Sequence, residues 1–78
     1  MKAVVWSKDD CPYCVAAKSL LQSKGYEVEE RKLGAPWTIA QLNEAVPRAR
    51  SVPQVFINDE YIGNYDTLAR HLGMKGNV

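Results

Sequence analysis

Two cysteines lie in the segment Cys11-Pro12-Tyr13-Cys14, between a predicted strand and a predicted helix, and the 78-residue chain contains no other cysteine. In this context the C-x-x-C spacing indicates a redox-active dithiol. We expect Cys11 to be the N-cap of the helix, where backbone N–H groups and the helix dipole favour the thiolate. Helix N-termini lower a cysteine pKa from about 8.5 to roughly 3.5–7.5. We therefore predict that Cys11 attacks disulfides and that Cys14, one turn later on the apolar face, resolves the mixed disulfide.

Three other interpretations of the two cysteines compete with this one. A purely structural disulfide would close a ring of four residues, which constrains little of the unfolded chain. A zinc site would need four ligands, and only His71, on a polar face of the last predicted helix, could join the cysteines. Two unrelated thiols would leave the strand–loop–helix context unexplained. Asp9 and Asp10 precede the nucleophile and oppose its charged form, whereas Lys8 and the helix N-terminus favour it.

Hydrophobic patterning predicts the elements that must position the cysteines. Pro12 suits the first turn of a helix, and Gly25 supplies the residue type that ends one. Thr38 and Gln41 form a capping-box pattern, with Ile39, Leu42 and Val46 as the buried face of a short helix that Pro47 ends. Strands are predicted at Lys2–Ser7, Tyr26–Leu33, Gln54–Ile57 and Tyr61–Gly63, and the other helices at Pro12–Lys24 and Tyr65–Leu72.

The predicted element order is β-α-β-α-β-β-α, in one domain that covers residues 1–78. A parallel βαβ unit followed by an antiparallel hairpin, with a tight turn at Asn58-Asp59, gives a four-stranded mixed sheet. Lys2–Ser7 is expected to be covered on both faces, and the charged strand Tyr26–Leu33 to lie at an edge. We predict an α/β sandwich with three helices, and a loose tail at Met74–Val78.

Composition excludes several function classes. Ten Lys and Arg against nine Asp and Glu give a net charge of +1, which provides no basic field for nucleic acid. The longest apolar runs, Ala3–Trp6 and Val55–Ile57, are too short to span a bilayer, and we find no secretory signal pattern. Two cysteines are too few to stabilise a small secreted protein. We therefore expect a small soluble cytoplasmic domain without a membrane partner.

Three motifs together resemble those of a dithiol glutaredoxin of the thioredoxin superfamily. They are the C-P-Y-C segment, Ser51-Val52-Pro53 and Gly63-Asn64-Tyr65-Asp66, and the resemblance extends over nearly the whole chain. It implies a thioredoxin-like fold, a cis peptide bond before Pro53, and backbone contacts from Val52 to a bound peptide. The short chain is similar in length to bacterial and bacteriophage members of the family. If a phage encodes the protein, we expect it in the cytoplasm of the host.

The same resemblance implies a glutathione site around the cysteines. Lys8, assisted by Arg50, would meet the glycyl carboxylate, while Tyr65 and Asp66 at the start of the last helix would hold the γ-glutamyl end. The chain departs from the family pattern at Ser51, where threonine is usual, and at Asn64, which replaces a glycine but tolerates left-handed geometry. The complete implied set is Lys8, Pro12, Tyr13, Arg50, Ser51, Val52, Pro53, Gly63, Asn64, Tyr65 and Asp66.

The function implied is that of a monomeric glutathione-dependent thiol–disulfide oxidoreductase. Its partners would be glutathione, as reducing co-substrate, and disulfide-containing or glutathionylated proteins, of which ribonucleotide reductase is a frequent client in the family; no bound cofactor is implied. One alternative is an NrdH-type redoxin that thioredoxin reductase recycles. Another is a module in which Cys11 and glutathione hold a [2Fe–2S] cluster between two protomers, although Pro12 stiffens the helix start that bridging needs. The last alternative is a non-catalytic interaction domain.

Overall fold

The computed structural model describes residues 1–34 and 36–73, and over these residues the chain forms four strands and three helices in the predicted order. Met74–Val78, which we expect to be loose, lie outside the described residues. The elements are β1 (Lys2–Ser7), α1 (Pro12–Ser23), β2 (Glu27–Lys32), α2 (Ile39–Ala45), β3 (Gln54–Ile57), β4 (Glu60–Gly63) and α3 (Tyr65–His71).

The four strands form one mixed sheet in the order β2-β1-β3-β4. The pair β1 and β2 is parallel, and the pairs β1–β3 and β3–β4 are antiparallel, as the βαβ-plus-hairpin pattern predicts. The tight turn between β3 and β4 uses positive φ angles at Asn58 and Asp59 (50° and 69°). The prediction of a charged edge strand is confirmed, because β2 lies at one edge of the sheet.

Helix α1 begins at Pro12, as predicted, and ends at Ser23, one residue earlier than expected. Lys24 already has a non-helical φ of −95° and ψ of 7°, although its N–H still bonds to the carbonyl groups of Leu20 and Leu21. Gly25 follows with a φ of +86°, the left-handed conformation that ends many helices. The boundary differs because the final hydrogen bonds of the helix extend into its cap.

The main core lies on the sheet face that α1 and α3 cover. Alternate residues of β1 and β3 point into it, since successive strand side chains face opposite ways. On the other face Trp6 is buried by Trp37, which packs edge-on at 5.4 Å between ring centroids, and by Arg31. Coverage of β1 on both faces is thus confirmed at Trp6, while Val4 is half-buried. The core residues are Ala3, Val5, Ala17, Leu20, Leu21, Val55, Ile57 and Leu68.

Helix α2 has the predicted capping box but not the predicted buried face. The Thr38 hydroxyl accepts from the Gln41 N–H at 3.1 Å, and the Gln41 side chain accepts from the Thr38 N–H at 2.9 Å. Only Leu42 is buried; Ile39 is 65% exposed and Val46 is half-buried. Val46 leaves the apolar stripe because it adopts an extended conformation before Pro47, outside the helix.

No helix in the described part of the chain is both long and apolar enough to cross a membrane.

Candidate active site

The two cysteines are joined by a disulfide bond at the N-terminus of α1. Cys11 is the N-cap residue, as predicted: its φ of −121° and ψ of 95° are non-helical, and its sulfur accepts from the Cys14 N–H at 3.2 Å. Its carbonyl oxygen also accepts from the N–H of Val15 at 3.1 Å. The Cα atoms are 5.2 Å apart, within the usual range for a disulfide, so one helical turn brings both sulfurs together.

The two cysteines differ in their surroundings. Cys14 is 1% exposed and packs inside the protein, which confirms the expectation that it is shielded, whereas Cys11 retains 8% exposure. The carbonyl oxygen of Val52 lies 3.8 Å from the Cys11 sulfur, although 41 residues separate the two in sequence. The Val52–Pro53 peptide bond is cis, as the family resemblance implies. The outer sulfur is thus bordered by backbone from the segment that precedes β3.

A groove of about 240 Å³ lies beside this segment. It contains six of the eleven residues that the sequence resemblance proposes for substrate binding. The Tyr13 and Tyr65 rings are paired there, with their centroids 5.8 Å apart and their planes tilted by 40°. An aromatic wall with few charged groups is typical of a small-molecule site. The lining residues are Tyr13, Val52, Pro53, Asn64, Tyr65 and Asp66.

The wall of this groove at α3 depends on Gly63 and Asn64. Gly63 has a φ of +118° and is buried, so it makes the left-handed turn that leads into α3. Asn64, whose residue type tolerates left-handed geometry, does not use it: Asn64 is extended (φ −84°, ψ −171°) and is the helix N-cap. Its side chain accepts from the Thr67 N–H at 3.1 Å. Asp66 lies in the exposed first turn and is therefore free of the capping role.

The remaining proposed binding residues lie elsewhere. Lys8 and Pro12 line an adjoining cavity that also contains Cys11 and Cys14. Arg50 and Ser51 line a third depression, together with Gln54 and Tyr61. The structure therefore places the proposed carboxylate-binding cations, Lys8 and Arg50, in different cavities.

Gln54 contributes to the site in a way that we did not predict. It is 6% exposed, its amide donates to the Ser51 carbonyl oxygen at 2.9 Å, and its side-chain oxygen accepts from the Tyr61 hydroxyl at 2.7 Å. These bonds tie the segment before Pro53 to the sheet and so fix the backbone beside Cys11. The sequence contained a signal for it, namely a polar residue at the start of the apolar strand β3.

Charged side chains surround the cavity that contains the cysteines. The Lys32 ammonium lies 3.2 Å from Asp9, and this hydrogen-bonded carboxylate raises the pKa of Lys32. Hydrogen bonds from Lys18 and then from Ser7 lower the pKa of Glu30. Lys32 thus compensates the charge of Asp9, while Asp10 adopts a left-handed conformation, with a φ of 56°, directly before Cys11. The opposition that we predict between these aspartates and a Cys11 thiolate therefore rests mainly on Asp10.

Among residues 1–34 and 36–73, no cluster of three or more His, Cys, Asp or Glu side chains is arranged to hold a metal ion. His71, the remaining zinc-ligand candidate, is the exposed last residue of α3.

A four-stranded mixed sheet with a disulfide at the start of its first helix defines the class of thiol–disulfide oxidoreductases with a thioredoxin-like fold. The family model for glutaredoxin matches residues 3–62. The chain belongs to the glutaredoxin family.

Curated relatives include glutaredoxin 3 of Escherichia coli K12, which is 38% identical over 82% of this chain and 77% of its own length. Glutaredoxin-C4 of Arabidopsis thaliana is 41% identical over 97% of this chain and 65% of its own length. The hybrid peroxiredoxin hyPrx5 of Haemophilus influenzae is 42% identical over 86% of this chain, but the match spans only 27% of that protein.

Solved structures confirm the thioredoxin-like fold. Reduced Escherichia coli glutaredoxin has a TM-score of 0.79 at 27% identity, with complete coverage of both chains. A complex of buckwheat glutaredoxin with glutathione has a TM-score of 0.73 at 29% identity, covering 92% of this chain and 70% of the buckwheat chain.

Proposed function

We propose that this protein is a glutathione-dependent thiol–disulfide oxidoreductase that reduces protein disulfides and glutathione mixed disulfides. The observation that carries the proposal is the meeting of three parts: the Cys11–Cys14 disulfide at a helix N-terminus, the Val52 backbone 3.8 Å from the outer sulfur, and the aromatic groove beside it. A glutaredoxin of the same fold has been solved with glutathione bound, which supports glutathione as the ligand.

In the reductive half of the proposed cycle, the Cys11 thiolate attacks one sulfur of a substrate disulfide. A mixed disulfide with Cys11 forms and the other substrate sulfur leaves as a thiolate. The Cys14 thiolate then attacks the Cys11 sulfur, closes the intramolecular disulfide and releases the second substrate thiolate. Two electrons have passed from the protein to the substrate. Two glutathione molecules return them by the reverse exchange and leave as oxidised glutathione.

Glutathione carries a carboxylate at each end and an ammonium group at one. We propose that the γ-glutamyl end occupies the groove, where Asp66 accepts from the ammonium and Tyr65 packs beside it. The cysteinyl backbone would pair with Val52, and the glycyl carboxylate would extend past Cys11 towards Lys8 in the adjoining cavity. Cys11 lines the second cavity, and Val52, whose carbonyl oxygen lies 3.8 Å from the Cys11 sulfur, lines the groove, so a tripeptide linked to this sulfur could reach both.

The source of reducing equivalents tests this proposal against an NrdH-type redoxin. Oxidised protein would be mixed with glutathione, glutathione reductase and NADPH, and separately with thioredoxin reductase and NADPH, using an insulin-type protein disulfide as substrate. We expect sustained turnover with the glutathione system and none with thioredoxin reductase. Turnover with thioredoxin reductase alone would refute glutathione dependence, and turnover with neither would refute the oxidoreductase activity.

Lys8→Ala is expected to raise the apparent KM for a glutathionylated peptide with little change in kcat. An exposed ion pair contributes roughly 0.2–1 kcal/mol, so the expected increase is at most about fivefold. Screening should reduce the difference between the variant and the unmodified protein at high salt. Lys24→Ala, at the opposite end of α1, serves as the control because Lys24 is exposed and far along the helix from Cys11. An equal effect of both substitutions would indicate loss of net charge, without a specific Lys8 contact.

A further inference from the structure

The cavity beside the cysteines contains an ion pair that the proposed cycle does not yet use. The Lys18 ammonium lies 2.8 Å from Oε2 of Glu30, and the same carboxylate oxygen accepts from the Ser7 hydroxyl at 2.6 Å. Ser7 is fully buried at the end of β1, so its hydroxyl holds Glu30 in a fixed position. The Lys18 and Glu30 side chains are 26% and 31% exposed. The pair is therefore more enclosed than the Lys32–Asp9 pair at the rim, whose side chains are 49% and 81% exposed.

Lys18 follows Cys14 by four residues on α1. Residues at this spacing lie above one another on the same helix face, about 5–6 Å apart at Cβ. Both residues line the same cavity, together with Glu30 from the neighbouring strand β2. A positive charge is thus fixed one turn beyond the shielded cysteine, whereas Cys11 is at the N-cap, a further turn away.

We propose that Lys18 is a positioning residue for the second step of the cycle, in which its ammonium, held by Glu30 and Ser7, stabilises the Cys14 thiolate that attacks the mixed disulfide. The inference deepens the proposed function and rests on its assignment of Cys11 as nucleophile and Cys14 as resolving thiol. The negative charge of Glu30, which is on β2 and not on the helix that carries Cys14, acts against the thiolate. Lys18 and Glu30 therefore have opposite effects on the Cys14 sulfur: the ammonium stabilises its thiolate and the carboxylate destabilises it.

Other charges that face this cavity act on both steps or at its rim. Lys32 and Asp9 compensate each other there, and Lys8 and Asp10 flank Cys11 in the loop before α1. Together the charged groups of the cavity are Lys8, Asp9, Asp10, Lys18, Glu30 and Lys32. Within this set, only Lys18 is on the helix that carries Cys14.

The expected effects have opposite signs in two variants. Lys18→Gln leaves the Glu30 charge uncompensated, which would raise the Cys14 pKa by up to about one unit and lower its thiolate fraction by up to about tenfold. A thiolate of higher pKa is about threefold more nucleophilic, which offsets part of this loss. We therefore expect the attack of Cys14 on the mixed disulfide to be about threefold slower. Glu30→Gln keeps an oxygen acceptor but removes its charge, so resolution should be about threefold faster. Lys18→Arg, which keeps the cation, should retain the original rate.

The experiment uses reduced full-length protein in slight excess over dithio-bis-nitrobenzoate, an aromatic disulfide that releases a coloured thiolate. The first release reports the attack by Cys11, and the second reports the attack by Cys14 on the mixed disulfide. Stopped-flow traces across a range of pH give a profile for each step. Lys24→Gln, at the C-cap of α1, is the matched control for loss of one lysine, and circular dichroism checks the fold.

Support requires that Lys18→Gln slows only the second phase and shifts its pH profile upward, while Glu30→Gln shifts the profile downward. Equal slowing by both substitutions would show that the pair is merely structural, and unchanged second phases would show that it does not act on Cys14; either result overturns the inference. Failure of the proposed function can be distinguished from failure of this inference. It would appear as loss of glutathione turnover in the unmodified protein, whereas this assay contains no glutathione.

Discussion

Replacing Cys11 by Ser is expected to abolish turnover with every disulfide substrate, because Cys11 is the cysteine at the helix N-cap and the one next to Val52. A serine hydroxyl cannot supply the thiolate that disulfide exchange requires. Cys14→Ser should separate two activities. It should stop the reduction of protein disulfides, which needs a resolving thiol, and retain the removal of glutathione from mixed disulfides, in which a second glutathione can resolve the intermediate.

Both variants would be assayed with an insulin-type protein disulfide and with a glutathionylated peptide, in the presence of glutathione reductase and NADPH. Mass spectrometry after exposure to oxidised glutathione gives an independent readout. One glutathione adduct should accumulate on Cys11 in Cys14→Ser, and none should form as a stable species in the unmodified protein. If Cys14→Ser loses both activities equally, or if Cys11→Ser keeps either one, the assignment of the two roles is wrong.

Gly63→Ala is expected to reduce both stability and substrate binding. Gly63 has a φ of +118°, and a Cβ atom at this position would overlap Oγ1 of Thr67 and lie 3.3 Å from the Cβ of Thr67. Backbone strain costs about 1–3 kcal/mol and overpacking a further 1–3 kcal/mol. For a domain of this size, each kcal/mol lowers Tm by roughly 4–8 °C, so we expect a decrease of about 10 °C or more. Because Thr67 is on α3, relief of this overlap should shift α3 and displace Tyr65 and Asp66 in the groove. We therefore also expect a higher KM for glutathione.

Gly25→Ala provides a matched control for the effect of backbone conformation alone. Gly25 also has a positive φ, +86°, but no atom lies within 4 Å of a Cβ built there. We therefore expect a smaller loss of stability, measured by thermal and denaturant unfolding, and an unchanged KM for glutathione. Adding Thr67→Ala to Gly63→Ala should recover part of the loss, because it removes the overlapping hydroxyl. Equal effects of the two glycine substitutions, without recovery by Thr67→Ala, would contradict the proposed steric contact.

Local sequence patterns determined most of the secondary structure and the reactive centre. The C-x-x-C spacing places both sulfurs on one helical turn, and Pro12, Thr38 with Gln41, and Gly25 mark helix ends through interactions within a few residues. These features require no distant contact, so the chain itself specifies them. The sequence pattern was insufficient where the burial of a side chain depends on a neighbouring element. Ile39 has the apolar character of a buried residue but is 65% exposed.

The tertiary structure decided which distant residues meet the cysteines. Family motifs implied that the Val52 backbone contacts a bound peptide, but its position 3.8 Å from the Cys11 sulfur depends on the pairing of β1 with β3 and on the bonds made by Gln54. No local pattern predicts that Lys18 on α1 pairs with Glu30 on β2, or that Lys8 and Arg50 line different cavities. Helix and turn signals act through bonds between near neighbours in the chain. Contacts between remote segments depend on the packing of several elements at once, which only the folded chain determines.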